Sequence, residues 1–131
     1  MVSLDEAVRM VTALPDVTEG ERRGRRTWFV AGTSFAWERP FSKADLRRFG
    51  DAEPPAGPIL ALRTADLTEK EAVLAAGLKG FFTIPHFDGY AAVLVQLKVA
   101  TKKALRDAIE DAWLACAPER LVREFLGSSP H

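Results

Sequence analysis

The run from Tyr90 to Val99 constrains the fold more than any other stretch of this chain. It is rich in valine and leucine and follows Asp88-Gly89, a pair that favours a tight turn. Side chains alternate along a strand, so Ala91, Val93, Val95, Leu97 and Val99 share one face, while Tyr90, Ala92, Leu94, Gln96 and Lys98 share the other. The first face belongs to a core. The second is apolar as well, so the sequence leaves open which side of the sheet is exposed. Phe81 to Ile84, across Pro85-His86-Phe87-Asp88-Gly89, supplies the other arm of a hairpin.

The remaining elements follow from caps and periodicity. Ser3-Leu4-Asp5-Glu6 has capping-box spacing, Leu4, Ala7, Val8, Val11 and Leu14 recur at helical period, and Pro15 ends that helix. Asp16 to Arg26 is polar and contains glycine. Trp28-Phe29-Val30 and Phe35-Ala36-Trp37 then read as two strands joined through Ala31-Gly32-Thr33. Ser42 is positioned to cap a short helix over Lys43 to Phe49, before the loop Glu53-Pro54-Pro55-Ala56-Gly57-Pro58. Ile59 to Arg63 is a further strand, and Thr68-Glu69-Lys70-Glu71 repeats the capping-box spacing ahead of a helix closed by Gly77. Thr101 caps a long helix with Leu105, Ala108, Ile109, Ala112, Trp113 and Cys116 on one side. Pro118 opens a terminal helix holding Leu121, Val122 and Phe125, and fraying is expected from Gly127 onward. The order is helix, hairpin, strand, helix, hairpin, helix, helix, without βαβ alternation. The expected fold is α+β: an antiparallel β-sheet built from two hairpins and a further strand, with helices packed on one face in two layers, as a single domain over residues 1–131 with a core of about 4–126.

Composition removes several classes of function. With 47% hydrophobic and 27% charged residues the chain is an ordinary globular one. Its longest apolar runs fall far short of the roughly 20 residues that cross a bilayer, and Met1-Val2-Ser3-Leu4-Asp5-Glu6-Ala7 has neither the basic nor the apolar region of a signal peptide, so a cytoplasmic location is expected. One cysteine, Cys116, excludes an intramolecular disulfide. With two histidines it does not make a zinc site, so no metal and no cofactor are expected. Lys plus Arg equals Asp plus Glu at 18 each, so attraction to nucleic acid must come from a local patch.

That patch is Arg22, Arg23, Arg25 and Arg26, leading into an aromatic strand, with Arg39 expected close by across the hairpin. Arginine beside aromatic surface holds phosphates while bases stack, and Trp28, Trp37, His86 and Tyr90 are the candidate aromatic and loop contacts. The competing reading is that Glu19, Glu21 and Glu38 neutralise the arginines on a solvated face. His86 beside Asp88 has the residue types of a base and its orienter, but no nucleophile is tied to it by any motif, and Cys116 reads as a small core hydrophobe. No catalytic residue is assigned and no enzyme is expected.

Leu14-Pro15-Asp16-Val17-Thr18-Glu19, the Thr27 to Trp37 hairpin, Phe81-Phe82-Thr83-Ile84-Pro85-His86-Phe87-Asp88-Gly89-Tyr90 and Asp111-Ala112-Trp113, taken in that order, resemble the MmcQ/YjbR-like family over nearly the whole chain. The resemblance implies a CyaY-like α+β fold and the DNA-binding, double-wing role by which that family is commonly described. The wings would be Arg26 to Arg39 and Phe81 to Leu97. Other members carry basic residues near the tip of the second hairpin, where this chain has His86-Phe87-Asp88-Gly89 and so loses a cation. Helix one offers only Asp5 and Glu6, too few acids for an iron site, and metal binding is not carried over. The expected function is non-enzymatic DNA binding through the arginine cluster. The alternative is a protein-interaction or chaperone-like module that docks a partner, or a second copy, on an exposed sheet face.

Overall fold

A computed structural model describes residues 1–127; the part of the expected fraying tail beyond Gly127 lies outside the described residues. The chain forms α1 (Leu4–Thr12), β1 (Val17–Arg22), β2 (Arg25–Val30), β3 (Thr33–Glu38), α2 (Lys43–Phe49) and β4 (Ile59–Arg63). It continues through α3 (Leu67–Ala75), β5 (Phe81–Phe82), a 3-10 turn at Pro85–Phe87, β6 (Ala92–Gln96), α4 (Lys102–Cys116) and α5 (Glu119–Gly127). The strands make one antiparallel sheet in the order β1-β2-β3-β4-β6-β5. No helix among the described residues is long and apolar enough to cross a membrane.

The helix starts follow the capping chemistry. Ser3 and Glu6 satisfy each other's amides, and Ser42 and Asp45 do the same at α2. Thr101 accepts from the Ala104 amide at α4. At α3 the cap is Asp66 rather than Thr68, its carboxylate accepting from the Glu69 amide at 2.8 Å. An aspartate at the N-cap also places negative charge at the positive end of the helix, an advantage a threonine lacks.

Trp28, Val30, Phe35, Leu60, Leu62, Val93, Val95 and Leu97 bury their side chains on one face of the sheet, beneath Ala7 and Val11 of α1, Leu105, Ile109 and Trp113 of α4, and Leu121 of α5. Val73 and Leu74 of α3 join them at the margin. Each large apolar side chain fully removed from water there contributes roughly 1.5–3 kcal/mol before chain entropy is counted. On β3 the register slips opposite Trp28 and Phe29, making Phe35 an extra residue, and Phe35 and Ala36 are both buried in this core. Cys116 is half-buried beside it, and burial pushes its thiol pKa up, as suits an inert filler.

The second face is divided in two. Over β4 and β6, the residues Ile59, Ala61, Ala92 and Leu94 are covered by Ile84 and Phe87 and by Phe41 and Phe49, so α2 lies on the side opposite the other four helices. Both faces of β6 are therefore buried, which accounts for its apolar character on both. Over β2 and β3 the same face carries Thr27, Ser34 and Trp37, bordered by arginines in place of an apolar cover.

The polar segment before Trp28 is mostly strand. Val17–Arg22 is the edge strand β1, paired with β2 from Val17↔Val30 to Arg22↔Arg25. Arg23 and Gly24 close the hairpin with φ of 55° and 75°, the paired positive angles that match the twist of a two-residue hairpin.

Candidate functional site

Strand alternation decides where the arginines point. Thr27 pairs with Trp37, Trp37 with Ala61 and Ala61 with Leu94, a row of side chains that shares the second face. Two residues from this row stand Arg25 on β2 and, just past the end of β3, Arg39 on one side of it, and Arg63 on β4 on the other. Together with Arg22, Arg23, Thr27, Ser34, Trp37, His86, Phe87 and Tyr90 they line a cleft of about 340 Å³.

Arg26, one residue out of phase, turns to the opposite side. Its guanidinium donates twice to the Glu19 carboxylate at 3.0 and 3.1 Å, lies 3.7 Å from Glu38, and stacks 5.3 Å from the Trp28 ring. Glu19 also accepts from the Trp28 indole at 2.9 Å, and the Arg26 bond holds its carboxyl below the usual range. The expected neutralisation of the arginine run by Glu19 and Glu38 thus reaches only Arg26. Trp28 is fully buried, so it is not the exposed contact that its place in the sequence allows.

Arg39 is buried as well, 3% exposed, and its Nη1 lies 2.9 Å from Asp45, itself 2% exposed. Burial alone would raise the Asp45 pKa, but the Ser42 amide and hydroxyl and the Arg39 guanidinium together pull it below its ordinary value. The Arg39 guanidinium also sits 5.6 Å from the Phe87 ring. Among the described residues Asp45 is the only carboxylate ion-paired to a cleft arginine. Arg22 donates to the Ser34 hydroxyl at 3.2 Å. Arg25 is half-buried, and burial first, then repulsion from Arg39 and Arg23, lowers its pKa against the pull of Asp45. Arg63 stacks 5.4 Å from Tyr90, and its Nε is buried without a hydrogen-bond partner.

The far wall is held by Lys70 of α3, a residue that no sequence motif marks as functional. It is 6% exposed and donates from Nζ to the carbonyls of Phe87 at 2.5 Å and Tyr90 at 2.7 Å. Burial lowers its pKa, with Asp88 opposing. This fixes the loop that carries His86 and Tyr90. Phe87 turns inward beneath Arg39, whereas Tyr90 stays 38% exposed, 6.3 Å from the Trp37 ring. The structure thus gathers Arg22, Arg23, Arg25, Arg39, Trp37, His86 and Tyr90 and removes Arg26 and Trp28. Arg63 joins them without having been expected from the sequence. Its period-two spacing from Ile59 and Ala61 is the signal that could have found it. No group of three or more His, Cys, Asp or Glu side chains placed to hold a metal ion occurs among the described residues.

Arginine is always charged and presents several donors in a planar fork, so a concave wall of guanidinium groups without carboxylate partners is suited to phosphate or carboxylate oxygens. Comparison with known proteins gives relatives of matching length. The chain is 41% identical, over 98% of its length and 99% of theirs, to the uncharacterised proteins Rv2570 and MT2646 of Mycobacterium tuberculosis and Mb2600 of Mycobacterium bovis. This chain belongs to their family. No family model matches it. No solved structure matches it either. The relatives carry no described activity, so the reading of the cleft stands on its geometry.

Proposed function

We propose that this protein binds nucleic acid without acting on it chemically, in the manner of the MmcQ/YjbR-like proteins its motifs resemble, and that the arginine cleft on the second sheet face is the contact surface. The observation that carries this reading is charge imbalance. A chain of zero formal net charge concentrates Arg22, Arg23, Arg25 and Arg63 around one concavity, and among the described residues none of these four is ion-paired, Asp45 being taken by Arg39. Such imbalance destabilises a fold unless an anion relieves it, and phosphate diesters supply closely spaced anions.

Docking of a protein on an exposed apolar sheet face has less support. The apolar half of the second face is covered by α2 and the Pro85–Phe87 turn. The edge strand β1 carries Glu19, Glu21 and Arg22, the kind of charge that discourages strand addition.

Fluorescence-polarisation titrations of labelled single- and double-stranded DNA at low and moderate salt test the proposal. Affinity should fall linearly with salt on logarithmic axes, and Arg22→Ala/Arg23→Ala/Arg25→Ala should flatten that slope by about 0.7–0.9 for each phosphate that is no longer neutralised. Arg26→Ala, whose cation is already neutralised, should leave the slope unchanged. Absence of binding at low salt would end this reading.

A further inference from the structure

We propose that the cleft receives one unstacked nucleotide of a single strand, its base against Tyr90 and Trp37 and its phosphates against Arg22, Arg23 and Arg25. This rests on the nucleic-acid reading and specifies the form of nucleic acid that fits. The first argument is shape. A concavity of about 340 Å³ is at the small end of the range that encloses small molecules, room for one nucleotide but not for a stacked base pair. Duplex phosphates lie on a convex surface and would reach only the rim, where Arg22 and Arg23 are exposed.

The second argument is the chemistry of the far wall. A site built for bare phosphate would be polar throughout, yet this one ends in Tyr90 and the half-buried Trp37, which offer aromatic surface on which any base can stack. Arg63 lines the same cleft and lies over Tyr90, and the ring nitrogens and carbonyls of a base are acceptors for a guanidinium placed there. The third argument is preorganisation. Lys70 pins the carbonyls at both ends of Phe87–Tyr90, so the aromatic platform is fixed before a ligand arrives and binding need not order it.

The test compares three probes at one salt concentration: a short oligothymidylate, an abasic strand with the same number of phosphates, and a duplex of the same length. The inference expects the oligothymidylate to bind about tenfold or more tightly than the abasic strand, the scale of one base stacked on an aromatic ring. It should also quench tryptophan fluorescence, a signal that reports Trp37 because Trp28 and Trp113 are fully buried. Tyr90→Ala should remove the preference, and Tyr90→Phe should retain it. Equal binding of the abasic strand, or duplex binding as tight as single-strand binding, overturns the inference and leaves the phosphate-binding reading standing. Failure of all three probes removes the nucleic-acid reading itself. Binding of thymidine monophosphate without binding of any strand would make the cleft a free-nucleotide site and overturn the proposal too. The probe comparison needs only the native protein, so a variant that fails to fold does not weaken it.

Discussion

At the residue scale, Arg39 and Asp45 carry the cost of placing a cation beneath a basic cleft. Removing Asp45 leaves the Arg39 guanidinium buried with the Pro40 carbonyl and the Phe87 ring but no counter-charge, and breaking a buried pair in this way typically costs about 3–5 kcal/mol. Asp45→Asn should therefore lower the free energy of unfolding at neutral pH by about that amount in urea titrations. Folding lowers the Asp45 pKa, so the stabilisation is complete above the ordinary aspartate pKa of about 3.9 and is lost as pH falls through the depressed folded value. The gap between native protein and variant should close over that acid range. A gap that stays constant down to strongly acid pH would show that the pair is not the source. Arg63 shows the limit of reading single residues in a sequence: its period-two spacing from Ile59 and Ala61 gives it a face, and only the Tyr90 ring brought over from another segment gives it a site.

At the element scale, two tight turns set the frame. Arg23-Gly24 and Ala31-Gly32 each place two consecutive residues at positive φ, 55° and 75° in the first and 49° and 81° in the second. A side chain in that region is disfavoured by about 1–2 kcal/mol. Ala31→Gly should stabilise the protein by up to about 1 kcal/mol, the relief being partly offset by the greater freedom of glycine when unfolded. A shift of the urea midpoint to lower concentration would show that Ala31 makes compensating contacts. Hydrophobic period and capping residues made β2, β3, β6, α1, α2 and α4 legible from the sequence. They did not reveal β1, because an edge strand whose residues after Val17 are all exposed has no apolar alternation to display. That omission also hid the phase of the arginines. Once Arg22 pairs with Arg25, alternation along β2 sends Arg25 and Arg26 to opposite faces, a separation that a run of charges in sequence does not disclose.

At the scale of the whole molecule, the two-layer α+β plan was legible, whereas the second face was not. Apolar residues on both sides of β6 signal two covered faces but do not name the cover, and it comes from α2 and the Pro85–Phe87 turn, distant in sequence from the strands they shield. The cover stops short of β2 and β3, and the guanidinium groups gathered there repel one another whenever the cleft is empty. On the proposed reading, folding and anion capture are thereby linked. A multivalent anion that occupies the cleft completes a charge balance the chain leaves open, and by mass action it favours the folded over the unfolded chain. Sodium triphosphate should thus raise the melting temperature above that found in sodium chloride of equal ionic strength, and the Arg22→Ala/Arg23→Ala/Arg25→Ala variant should melt higher than the native protein at low salt while no longer distinguishing the two salts. Thermal shift then becomes a way to rank ligands before any is known, since the protein's own stability reports how well each candidate fills the gap.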